Sequence, residues 1–225
     1  MRTRIAALAL TMSLGFAAPA SASVQFKFIN AGTVTAFGYY VGQYAGYEGS
    51  PVNANVVLNC VDFFHHISNG QIWNANLTSL SSNAGIGTAT RFNSLMAYRQ
   101  AAWLTTQYVT APNAATVGDI QATIWRLFPG SSTPPAPSSN AWLLASQAYV
   151  TANPNGSTYA NYYVVTDVNA HLPNGSDNPN SVQEFMIYDD TFNPNVTPTP
   201  EPATMMLVAT GLLGFAGVRL RRRKK

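Results

Sequence analysis

From Val24 to Ile29 apolar and polar residues alternate, with Val24, Phe26 and Phe28 on one side, the period-two pattern of a half-buried strand. Thr33 to Val41 continues with aromatic and β-branched residues, and Gly42 to Pro51, rich in Gly and Tyr, reads as a loop. Val56 to Phe64 reads as a strand that carries Cys60. Asn69 to Thr90 is polar, with Trp73 its one large candidate for burial, and reads as loop with short strands. The period then changes: Phe92, Leu95, Met96, Tyr98, Ala102, Trp103 and Thr106 fall on or near one helical face between Phe92 and Tyr108. A second helix is expected from Thr116 as N-cap, with Val117, Ile120, Ile124 and Leu127 at spacings of three and four and Pro129-Gly130 as its stop. After a Pro/Ser loop over Gly130 to Ser139, Asn140 caps a third helix reaching about Thr151. Thr158 to Val168 and Val182 to Tyr188 read as strands. Strands, then about three helices, then strands predict one α+β domain over residues 23–190, an antiparallel sheet with a helical insertion.

The two ends follow other patterns. Arg2 and Arg4 precede the apolar run Ile5 to Ala18 and the small-residue site Ala20-Ser21-Ala22, so residues 1–22 read as a signal peptide and a partner signal peptidase is expected. At the other end a Pro-rich linker over residues 191–199 leads to Pro200-Glu201-Pro202. The apolar run Ala203 to Val218 and the basic cluster Arg219, Arg221, Arg222, Arg223, Lys224 and Lys225 follow. Sixteen residues at 1.5 Å each give about 24 Å, short of the ~30 Å hydrocarbon core, with Leu220 and snorkelling arginines available to cover the difference. A C-terminal membrane helix over residues 203–220 is therefore expected, its basic tail (residues 219–225) held on the cytoplasmic side of the inner membrane.

This tail resembles the PEP-CTERM sorting signal of Gram-negative bacteria, part for part and over roughly residues 198–225. The resemblance implies an exosortase-type partner that cuts near Pro200, Glu201 and Pro202, a transient anchor in the inner membrane, and release to the cell surface or exopolysaccharide matrix.

Charge narrows the partners. Eight of the 12 Lys and Arg lie in the terminal segments, leaving Lys27, Arg91, Arg99 and Arg126 against eight acids, a net charge of about −4. That composition gives no basic face for nucleic acid. Charged residues are only 9% of the chain against roughly 25% in ordinary soluble domains.

Cys60 is the one cysteine, so no internal disulfide forms and the thiol is free, intermolecular or modified. Packing as a small apolar residue is one reading. The other starts from Leu58-Asn59-Cys60-Val61 and Ile120-Gln121-Ala122-Thr123-Ile124-Trp125, which together are similar to the signature of bacterial surface thioester domains. The resemblance implies a thiol role for Cys60, an acyl role for Gln121, and covalent capture of an amine-bearing surface or matrix polymer. Asn59 stands where that family commonly has an aromatic, and Ile120 where it has Thr.

On a helix Gln121 and Trp125 share a face, and an indole beside the carboxamide excludes water, a part that Phe63 and Trp103 are also candidates to play. His65 or His66 is the candidate for moving the proton of the departing ammonia. Attachment of this kind is not turnover, so the chain is not expected to be an enzyme, and neither cofactor nor metal is required. The alternative is a non-covalent structural or carbohydrate-matrix protein with an inert buried cysteine.

Weaker constellations are a Cys-His hydrolase using Cys60 with His65, His66 or His171, and a metal held by Asp62, His65 and His66. Calcium at Asp167, Asp177, Asp189 and Asp190, and sugar stacking on Tyr39-Tyr40 or Tyr162-Tyr163, complete the set.

Overall fold

The computed structural model of the chain describes residues 23–49 and 54–190. The expected signal peptide, linker, sorting motif and basic tail lie outside the described residues.

Six antiparallel strands close into a barrel in the order β1, β4, β5, β8, β7, β6. They are β1 (Val24–Asn30), β4 (Gln43–Glu48), β5 (Ala54–Cys60), β6 (Ile72–Ser79), β7 (Tyr162–Asp167) and β8 (Phe185–Tyr188). Closure depends on β1, which pairs with β4 on one side (Lys27 opposite Tyr47) and with β6 on the other (Phe26 opposite Trp73). The remaining two strands, β2 (Thr35–Ala36) and β3 (Tyr39–Tyr40), form a separate hairpin through Phe37 and Gly38, both at positive φ, and Val41 N–H donates to Val34 O across its base.

The expected single α+β domain, an antiparallel sheet with a helical insertion, is thus corrected to a closed six-stranded barrel with three helices packed outside it. One segment read as loop and one read as loop with short strands make the difference. Gln43–Glu48 is a strand with Tyr44 and Gly46 turned inward, and Ile72–Ser79 is another with Trp73 and Ala75 buried among outward Asn74 and Ile72. Their inward positions include Gly and Ala, which weaken an alternation judged by bulk, yet they supply the strands that remove the sheet's edges. Among the described residues no helix is long and apolar enough to cross a membrane, and residues 203–220 lie outside them.

The barrel is filled, not hollow. Phe26 and Trp73 stack at 5.6 Å and Phe28 and Phe185 at 6.3 Å, with Leu58, Tyr163, Val165 and Ile187 completing the interior. Outside it, α1 (Leu95–Thr106), α2 (Ala114–Arg126) and α3 (Ala141–Ala152) form a second core against the outward residues Val164 and Met186 of β7 and β8. Both faces of these strands are therefore buried, which explains the unbroken apolar run Tyr162 to Val165. Ser94 caps α1 by accepting from Ala97 N–H, and Asn113, not Thr116, caps α2 by accepting from Thr116 N–H.

Helix α2 belongs to both cores: Ile120 and Ile124 pack with the helices, Trp125 with the barrel interior. It also carries the hairpin. An added Cβ on Gly118 would meet the Cβ of Ala36 at 2.5 Å, so the absence of a side chain at Gly118 sets how closely β2 approaches. By this packing the fold holds β3 and the end of β5 beside Gln121.

Candidate functional site

Strand β5 ends at Cys60, and the chain turns away through Val61 and Asp62. Cys60 is 3% exposed and Gln121 fully buried, and the fold brings them together across 61 positions of sequence. Gln121 Nε2 donates to the Cys60 carbonyl at 2.8 Å. Its Oε1 accepts from the Tyr108 hydroxyl at 2.8 Å and from Gly42 N–H at 3.3 Å. Gly42 N–H can only donate and the Cys60 carbonyl only accept, so these partners fix which way the carboxamide faces.

The sulfur has its own partners. Trp125 Nε1–H donates to Cys60 Sγ at 3.4 Å, and the thiol donates to the backbone carbonyl of Asp62 at 3.1 Å. Burial pushes the Cys60 thiol up to about 12, partly offset by the Trp125 hydrogen bond. A free thiol here is protonated near neutral pH.

Beside Cys60 lies a cavity of about 280 Å³ lined by Tyr39, Tyr44, Phe63, His66, Asn69 and Trp125, among others. Phe63 and Trp125 pack with ring centroids 5.0 Å apart, and Tyr39 stands edge-on to both at 5.1 and 5.9 Å. Trp103 takes no part: it packs on Trp142 and Tyr149. The remaining tyrosines divide, with Tyr163 inside the barrel, Tyr162 edge-on to Tyr188 at 5.0 Å, and Tyr40 56% exposed.

The two histidines part company, as adjacent positions in extended chain do. His66 is exposed at the cavity, whereas His65 is buried with Nδ1 2.7 Å from Asp62 Oδ2 and Nε2 3.1 Å from Asp177 Oδ2. Arg91 completes this cluster. Its Nε lies 3.0 Å from Asp62 Oδ2 as an ion-pair contact, without the alignment of a hydrogen bond, and its guanidinium reaches Asp177, Ser181 and the Val182 carbonyl. Arg91 N–H donates to the carboxylate of Glu184, which also accepts from Thr166 and Tyr98 hydroxyls at 2.6 and 2.5 Å. Burial raises Glu184 from 4.5 to about 7 against the pull of these three donors.

Sequence reasoning missed Tyr108, Gly42 and this ionic cluster. Arg91 carried a signal: one of four cations in a charge-poor domain is poorly placed unless it pairs. Gly42 carried none.

Among the described residues no group of three or more His, Cys, Asp or Glu side chains is disposed to hold a metal ion. Of the histidines in the hydrolase arrangement, His65 is occupied by carboxylates, His171 Nε2 lies 3.1 Å from the Thr90 carbonyl, and His66 shares the cavity with Cys60, whose thiol donates to a backbone carbonyl.

A family model described as the PEP-CTERM protein-sorting motif matches residues 198–223. No curated protein and no solved structure matches the chain. The sorting motif implies processing by an exosortase-type enzyme. The chain is therefore an exported protein whose sorting signal is of the kind that directs proteins to the cell surface or extracellular space of Gram-negative bacteria.

Proposed function

We propose that the exported domain forms an internal thioester between Cys60 Sγ and Gln121 Cδ and uses it to attach covalently to an amine on a surface or matrix polymer. The observation that carries this reading is the hydrogen bond from Gln121 Nε2 to the Cys60 carbonyl, which holds the carboxamide against the residue that bears the thiol. In forming the bond, sulfur replaces nitrogen on Cδ, and the thiol proton leaves with the amide nitrogen as ammonia. In capture, the incoming amine bonds to Cδ, the C–S bond breaks, and the amine's proton passes to sulfur. Each site reacts once, so the activity is attachment and not turnover.

The surroundings suit a stored electrophile. Gln121 is fully buried and Cys60 3% exposed, with Phe63 and Trp125 packed on each other at the cavity that Cys60 lines, which limits the access of bulk water to the acyl carbon. Trp125 Nε1–H is placed to support the departing sulfur.

A second reading is a non-covalent matrix protein in which Cys60 is an inert packing residue. The upward shift of its thiol favours it, because a thiol at about 12 is a poor nucleophile in the absence of a base.

Intact mass separates the two. Protein recovered from the exported fraction should be one ammonia lighter than its sequence, and methylamine should raise it by one methylamine. The Cys60→Ala variant should show the full mass and ignore methylamine. A full mass for the unaltered protein refutes the thioester.

A further inference from the structure

Among the groups around Gln121, two bind the same atom, the oxygen on which charge develops whenever the acyl carbon is attacked. We propose that Tyr108 Oη–H and Gly42 N–H form an oxyanion pocket for Gln121 Oε1, making Tyr108 a catalytic residue for both thioester formation and amine capture. This inference rests on the thioester reading and goes beyond it by naming the groups that accelerate the acyl chemistry.

Attack on Cδ, by Cys60 sulfur or by an external amine, makes that carbon tetrahedral and moves an electron pair onto Oε1. When the tetrahedral species collapses, the pair returns and ammonia or sulfur departs. Donors already aimed at Oε1 stabilise the intermediate without moving, and their effect is largest where water is excluded. Tyr108 meets these conditions at 2.8 Å, being itself 8% exposed, with Oε1 belonging to a fully buried residue. Burial, with Tyr44 and Cys60 nearby, pushes the Tyr108 hydroxyl well above its usual range, so it remains an O–H donor at neutral pH.

Gly42 is the weaker donor at 3.3 Å, and its backbone shows what the position requires. It sits at φ +92°, and a Cβ there would stand 3.0 Å from Val117 Cγ1, one helical turn before Gln121. Glycine permits both the left-handed backbone and the approach to α2 that turn this N–H onto the carboxamide. Tyr108 arrives on a different element, the 3-10 turn Gln107–Thr110 that follows α1. Two elements far apart in sequence thus deliver donors to one oxygen, which satisfies the buried carbonyl at rest and aims both donors where charge develops when Cδ is attacked.

Methylamine is the probe, and the rate of its incorporation into the exported protein is the readout. Tyr108→Phe keeps the ring and removes the donor. It should slow capture about 100-fold, the usual effect of deleting one oxyanion donor, in protein that melts as the unaltered chain does. Tyr108→3-fluorotyrosine, a stronger donor of nearly the same shape, should capture at least as fast as tyrosine.

Capture by Tyr108→Phe at the unaltered rate, in protein still one ammonia light, overturns the oxyanion role and leaves the thioester standing. Slowing by both variants alike also overturns it, since that marks a packing role. A full mass in the unaltered protein removes the thioester and this proposal together. If Tyr108→Phe folds but carries the full mass, the donor is needed for formation, and the fluorotyrosine chain must then recover the ammonia-light mass or the role is refuted.

Discussion

Two buried polar clusters meet at the end of β5, two residues apart, and they are built on opposite principles. Around Cys60 and Gln121 every group is formally neutral, and each hydrogen bond joins an amide, hydroxyl, indole or thiol to one partner. Around Asp62 the cluster holds an ion pair, with Arg91 set against Asp62 and Asp177, the His65 ring in contact with both carboxylates, and Glu184 close by. A neutral cluster costs little to bury when fully matched, and its carbonyl can be attacked without first separating ions. An ionic one must offset a large desolvation cost and collapses when one member is removed. The first satisfies a buried carboxamide and thiol without charge, and the second ties the turn after Cys60 to Arg91.

The contrast predicts a ranking. Arg91→Met should be the most damaging change, because Asp62 and Arg91 have side chains only 0% and 3% exposed and the carboxylate would lose its cation. A loss of about 3–5 kcal/mol is expected in urea unfolding at neutral pH, and Asp62→Asn in the same chain should return part of it. A loss under about 1 kcal/mol would mean the ionic cluster holds nothing.

Gln121→Leu comes next. It leaves the Cys60 carbonyl, Gly42 N–H and Tyr108 O–H without partners and should cost about 2–4 kcal/mol. An unchanged melting curve would show that the neutral cluster is not matched as described.

Third is a dependence on pH. The Glu184 carboxyl is raised from 4.5 to about 7, so the folded chain keeps a proton that the unfolded chain releases between those values. Its contribution to stability is full below pH 4.5 and is lost as pH rises through 7, by about 3 kcal/mol at most. Glu184→Gln should flatten stability across that window, and an unchanged slope would exclude Glu184 as its source. Last, His66→Ala should lie within about 0.5 kcal/mol of the unaltered chain, since His66 is exposed and outside both clusters, whereas His65→Ala should not.

Much of this site can be read from the sequence and much cannot, for a consistent reason. Gln121 and Trp125 share a helical face because they are four apart, and the sole cysteine of an exported chain marks itself. Tyr108 and Gly42 reach the same oxygen only through packing of α1, α2 and the hairpin, and no local pattern encodes that meeting. The helices were legible from their period, to within a few residues at the ends. Barrel closure was not, because it rests on pairings such as Phe26 with Trp73 and Cys60 with Phe185, far apart in the chain. The inward positions Gly46 and Ala75 also lack the bulk by which strands announce themselves.

The last strand of the barrel is also the one from which the chain runs on toward its sorting segment. β8 is hydrogen-bonded on both sides, to β7 from Tyr162 opposite Tyr188 through Val165 opposite Phe185, and to β5 at Asn59 and Cys60. Antiparallel ladder bonds stand perpendicular to their strands. Tension applied along β8 from its C-terminal end therefore loads the bonds of both short ladders together in shear, instead of unzipping them singly. In mechanical terms the domain is gripped by an interior stave and not by a peelable edge.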